Sequence, residues 1–138
     1  MIIHFICRGN SFRSIIAEAY LNSLEIKDLS VLSSGATAAS DKARNLVYYR
    51  ATLDLLEKHG IREFAKAGHG DQLTQSRLEK ADITVCMNQR VYGEGCGSTE
   101  VSCLRCEDIG FAVFRVVDAF VLAAEVVRAS SRRSRPWR

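Results

Sequence analysis

The chain has 138 residues, 47% of them apolar and 25% charged, with a single proline; this is the composition of one compact domain and excludes disordered and fibrous classes. No apolar run approaches the roughly 18 residues that a membrane span needs, and Met1-Ile2-Ile3-His4-Phe5-Ile6 lacks the basic lead of a secretory signal, so a cytoplasmic location is expected. The net charge of +3 comes from the end of the chain: without Arg128, Arg132, Arg133, Arg135 and Arg138, 14 basic residues face 16 acidic ones, which argues against a nucleic-acid surface on the domain.

Residues 2–6 form a short apolar run that predicts a strand, and Cys7-Arg8-Gly9-Asn10-Ser11-Phe12-Arg13-Ser14 follows as a polar turn. Ile15, Ile16, Ala19, Tyr20 and Leu24 then recur at helical spacing, with Glu18 expected on the polar face. Residues 29–33 predict a second buried strand. Between residues 45 and 59, Leu46, Tyr49, Leu53 and Leu56 make a helical stripe, and Gly60 stands where a C-terminal cap belongs. Residues 61–73 contain two close glycines and predict a loop. Thr74 is the expected N-cap of a short helix reaching Ala81. Residues 83–87 predict a third strand, 101–106 a fourth, and 113–127 a packing helix.

Short apolar strands alternating with helices predict an α/β domain over residues 1–127: a four-stranded parallel sheet with helices on both faces. Residues 128–138 are expected to be a basic, flexible tail. Five cysteines, Cys7, Cys86, Cys96, Cys103 and Cys106, in such a chain predict reduced thiols.

In open α/β sheets, ligands bind at the carboxyl ends of the strands, and here the first strand ends in Cys7. A loop of amides leading into a helix N-terminus holds an oxyanion, because the first amides have no helical partner and the dipole is positive there. The same field favours a thiolate, which makes Cys7 the candidate nucleophile. Arg13, across the loop, can bind two oxygens of a tetrahedral oxyanion through its planar fork. The hydroxyl of Ser14 is placed to donate to the thiolate.

The stretch Cys7-Arg8-Gly9-Asn10-Ser11-Phe12-Arg13-Ser14-Ile15-Ile16-Ala17-Glu18 resembles the phosphate-binding loop and following helix of the low-molecular-weight protein tyrosine phosphatases. Ser33-Ser34-Gly35-Ala36, Leu55-Leu56-Glu57-Lys58-His59-Gly60-Ile61 and Ala81-Asp82-Ile83-Thr84-Val85-Cys86-Met87-Asn88 follow the same family's pattern in order. The resemblance implies a phosphomonoesterase that forms a phosphocysteine on Cys7, with Arg13 binding the phosphoryl group and Arg8, Gly9, Asn10, Ser11, Phe12 and Ser14 as the binding loop. It further implies that Asn10 stabilises the loop, Ser14 supports the thiolate and Ser33 braces the loop. The expected substrate is a phosphotyrosine protein or a small aryl phosphate, with no cofactor and no metal.

A general acid is implied after the fourth strand. Asp108, in Cys106-Glu107-Asp108-Ile109-Gly110, is the best match, although the usual proline and aromatic neighbours are missing; Glu107 and Asp118 are its rivals. Phe12 stands where many relatives carry a second cysteine, and Ile15 replaces a proline. Cys103-Leu104-Arg105-Cys106 lacks the four ligands of a tetrahedral zinc site. His69 is one register position from a family histidine that contacts the loop. Two alternatives remain: a thiol-dependent arsenate reductase of the same fold, with Cys86 and Cys96 as disulfide relay, and a non-catalytic oxyanion-binding module.

Overall fold

The computed structural model describes residues 1–68 and 70–87. The expected fourth strand, the last helix, the basic tail, His69, Cys96, Cys103, Cys106, Glu107, Asp108 and Asp118 lie outside the described residues. In chain order the elements are β1 (Ile2–Cys7), α1 (Arg13–Ser23), β2 (Ser30–Gly35), α2 (Lys42–Lys58), a 3-10 turn (Arg62–Phe64), α3 (Gln75–Lys80) and β3 (Ile83–Cys86). Among the described residues the sheet has three parallel strands in the order β2-β1-β3. The chain leaves central β1 toward one neighbour and returns on its other side, so the carboxyl end of β1 is a topological switch point.

Alternation along β1 distributes its side chains between two cores. Ile3, Phe5 and Cys7 face α1 and α2 together with Val31, Val85 and Met87. Ile6 faces the other way and packs with Cys86 and with Leu78 of α3. Helices on both faces fit a parallel sheet, whose strands are buried on either side. Phe5, Ile3, Ile15 and Ile16 are fully buried, each contributing about 1.5–3 kcal/mol by leaving water.

Two expectations need correction. Glu18 is not on a solvated face: α1 is enclosed nearly all round, and Glu18 is buried between Ala17 and Ala19. The apolar stripe of α2 begins wrongly at Leu46, which is exposed; the helix starts at Lys42 and buries Asn45, Thr52 and Leu56. Polar residues occupy that face because it packs on a loop whose backbone needs hydrogen-bond partners. The caps are as expected. Gly60, at φ 66°, follows the C-cap His59 of α2, with the Ile61 amide bonded to the Leu56 carbonyl. Thr74 Oγ1 accepts from the Arg77 amide at the start of α3.

Candidate active site

Residues 8–12 join the switch-point end of β1 to α1, and the geometry of this loop follows from three local constraints. Asn10 takes a left-handed conformation, φ 48°, which asparagine tolerates better than most residues. Gly35, paired with Cys7 at the end of β2, lies so close that a Cβ there would be 2.6 Å from the Asn10 nitrogen and 2.7 Å from the Arg8 oxygen. Only glycine lets the end of β2 support the loop from beneath. Above, α2 closes on it: Thr52 Oγ1 donates to the Ser11 carbonyl at 2.6 Å, and Asn45 packs against Gly9, where a Cβ would collide with its side chain.

The buried side of the loop is a continuous hydrogen-bonded chain. Cys7 Sγ is 3.0 Å from Ser14 Oγ and accepts from the Asn10 amide at 3.2 Å. Asn10 Nδ2 donates to Ser14 Oγ at 2.9 Å and to Ser33 Oγ at 2.8 Å, while its Oδ1 accepts from the Asp71 amide. Ser33 in turn donates to Glu18 Oε2. Lys66 Nζ donates to the Ser33 carbonyl at 3.0 Å and to Asp71 Oδ2 at 2.9 Å, and lies 3.6 Å from Glu18 Oε2. Arg77 completes the group, 3.4 Å from Asp71 Oδ2.

Burial pushes the Glu18 carboxyl up, against the opposing pull of the Lys66 charge and the Ser33 hydrogen bond. Burial acts likewise on Asp71, but there the Lys66 and Arg77 contacts outweigh it and hold the carboxyl below its ordinary range.

The other side of the loop faces a cavity of about 230 Å³. Cys7, Arg8, Gly9, Ser11, Phe12 and Arg13 line it from the loop, and Asp41, Arg44, Asn45 and Tyr48 from the start of α2. The Gly9, Ser11 and Phe12 amides make no hydrogen bond to a described residue, so their donors remain for a ligand. Arg8 reaches across to Asp41 at 3.6 Å, and the Arg44 guanidinium lies 5.7 Å from the centre of the Tyr48 ring. A thiol, a ring of amides and a guanidinium on one cavity can receive a tetrahedral oxyanion and attack its central atom.

The structure thus brings six of the sequence-derived residues, Cys7, Arg8, Gly9, Ser11, Phe12 and Arg13, to the cavity. Asn10 and Ser14 are fully buried behind it, with side chains directed at the thiol and at Ser33. Sequence reasoning missed Asn45, Thr52, Lys66 and Asp71. The one available signal was Glu18, an acid inside an otherwise apolar helical run. Cys86 belongs to the opposite face of the sheet from Cys7, packed with Ile6 and Leu78.

Residues 2–107 match the family model described as low molecular weight phosphotyrosine protein phosphatase. No curated protein matches the chain. Among solved structures, the low molecular weight protein tyrosine phosphatase SP-PTP of Streptococcus pyogenes is similar at a TM-score of 0.68 and 14% identity, covering 98% of this chain and 93% of its own. A low molecular weight protein tyrosine phosphatase of Bacillus subtilis gives 0.63 and 21%, covering 98% and 100%. The YwlE arginine phosphatase of Geobacillus stearothermophilus gives 0.58 and 18%, covering 99% of both chains. At these identities the likeness is one of fold.

Proposed function

Because the chain belongs to the low molecular weight phosphotyrosine protein phosphatase family, we propose that it hydrolyses aryl phosphate monoesters, phosphotyrosine above all, through a phosphocysteine on Cys7. The observation that carries the proposal is the meeting of Cys7, the open loop amides and Arg13 on one cavity. Ser14 Oγ accepts from Asn10 Nδ2, so its own hydrogen is free to donate to Cys7 Sγ, which favours the thiolate.

In this mechanism the Cys7 thiolate attacks phosphorus while the bond to the phenolic oxygen breaks. The loop amides and the Arg13 fork hold the three equatorial oxygens and their developing charge. Asp108 protonates the leaving oxygen; its carboxylate then takes a proton from water, which attacks the phosphocysteine and releases inorganic phosphate and the thiolate. Tyr48 and Phe12 offer aromatic surface at the cavity for the phenyl ring of the substrate. The cycle needs Cys7 reduced, in keeping with a cytoplasmic location. A disulfide relay of the arsenate-reductase kind finds no support at Cys86, whose side chain is on the other face of the sheet.

The test is phosphate release from a phosphotyrosine peptide beside a phosphoarginine peptide, the second chosen because a structural neighbour is an arginine phosphatase. The proposal expects the phosphotyrosine peptide to be the better substrate. Faster release from phosphoarginine would transfer the substrate assignment, and phosphate binding without release from either would make the protein an oxyanion-binding module. Asp108→Asn is expected to slow poor leaving groups by roughly 10²–10⁴-fold and acidic phenols less; an equal effect on both would place the acid elsewhere, with Glu107 and Asp118 next to replace.

A further inference from the structure

The chain of hydrogen bonds behind the loop has a direction. Asn10 Nδ2 spends its two hydrogens on Ser14 Oγ and Ser33 Oγ, and the amide cannot turn over because its Oδ1 is held by the Asp71 N–H. Both hydroxyls accept from Asn10; Ser33 donates its hydrogen to Glu18, and toward a Cys7 thiolate, which has no hydrogen to give, Ser14 is the donor. Ser33 donates most strongly while Glu18 is a carboxylate. A protonated Glu18 keeps an acceptor oxygen, but a neutral one, and with its hydrogen on Oε2 it would compete with the Ser33 hydrogen for the same contact; either way the hold on Ser33, and through it on Asn10, is weakened.

A neighbouring cation, 3.6 Å from Glu18 Oε2, opposes the effect of burial and favours the carboxylate. Lys66 Nζ contacts groups from three segments: Glu18 of α1, the Ser33 carbonyl of β2, and Asp71 of the loop before α3. Its backbone is held in turn, since Tyr49 Oη of α2 donates to the Lys66 carbonyl at 3.0 Å. The other charged groups about this pair are Asp71, whose charge works against Glu18 ionisation, and Arg77 of α3, bonded to Asp71. His4 of β1 also feels the Lys66 and Arg77 charges. Lys66 is the largest of the influences that favour the Glu18 carboxylate.

We infer that Lys66 is a positioning residue: by pairing with Glu18 it keeps that carboxylate accepting from Ser33, and so holds Asn10 and Ser14 in the arrangement that donates a hydrogen to Cys7 Sγ. The inference rests on Cys7 being the nucleophile, but it is tested without turnover. The measurement is the rate of Cys7 carboxymethylation by iodoacetate in the full chain, followed on the Cys7 peptide by mass spectrometry across about pH 5 to 9. Lys66→Met is expected to slow alkylation roughly tenfold near the acid end, the effect of about one pK unit, and to approach the wild-type rate at the alkaline end, where Glu18 ionises unaided.

Adding Glu18→Gln to Lys66→Met removes the titrating carboxyl, so the new inflection must vanish. Lys66→Arg keeps the cation and is expected to restore the wild-type profile. A Lys66→Met profile parallel to wild type, or an inflection that persists in the double variant, would overturn the inference. Should Lys66→Met fail to fold, Glu18→Gln alone decides: a rate several-fold lower at every pH supports the chain, and an unchanged rate overturns it. Normal alkylation profiles without phosphate release would sink the phosphatase proposal and leave this inference standing.

Discussion

Ser33 and Ser34 are consecutive, both buried, and point to opposite faces of one strand, yet their hydroxyls serve opposite environments. On the face that carries Cys7, Ser33 links Asn10 to Glu18, an acid provided with a counter-ion in Lys66. On the other face, Ser34 Oγ is bonded to His4 Nε2, while His4 Nδ1 is buried with no hydrogen-bond partner among the described residues. Burial, joined by the nearby Arg77 and Lys66 charges, lowers the His4 imidazole to about 4. One face is built to hold charge beside a nucleophile; the other keeps its buried imidazole neutral. A mutation on the first face is therefore read mainly in rate, and one on the second mainly in stability.

The most severe way to probe this contrast is Cys7→Ser. Turnover is expected to fall to background, because serine near neutral pH is not ionised, while phosphate binding and the melting temperature stay close to wild type. Residual aryl phosphatase activity at a substantial fraction of wild type would break the contrast on its chemical side.

On the other face, acid is the probe. The unfolded chain protonates His4 below about 6.5, whereas the folded chain refuses the proton until about 4, so the unfolded state binds more protons throughout that window. The stability due to neutral His4 is fully present above pH 6.5 and is lost as pH falls to about 4, on the order of 3 kcal/mol at 1.36 kcal/mol per unit. Urea unfolding across this range measures it. His4→Gln should remove that part of the slope; a variant with the wild-type pH dependence would show that His4 is not the group responsible.

The mildest probe is Cys86→Ser, also on the His4 face. Exchanging a thiol packed with Ile6, Leu73 and Leu78 for a smaller, more polar hydroxyl should cost about 1 kcal/mol of stability with kcat unchanged. A large loss of rate at unchanged stability would return Cys86 to the chemistry and revive the thiol relay.

Much of the cavity side is legible in the sequence. Cys7, the polar loop and Arg13 are adjacent in sequence, and a strand running into a helix determines locally where amides and a positive dipole point. Gly60 and Thr74 were readable for the same reason, since a cap depends on the residues at its own turn. Apolar periodicity misplaces the buried face of α2 because it is blind to polar side chains that pack on backbone: Asn45 and Thr52 are buried against Gly9 and Ser11.

By itself, the sequence determined the alternation of strands and helices, the placement of a thiol at a strand end, and a family pattern spread along the chain. Those depend on short-range spacing and on residue identity. Only the tertiary structure decided that Glu18 is buried, that Lys66 is its partner 48 positions later, and that Ser33 and Ser34 lead into separate environments. Such pairings have no local signature. They arise when β2 is laid parallel to β1 in a register that sets Gly35 against Cys7, which brings the loop carrying Lys66 and Asp71 against the back of the nucleophile's own loop.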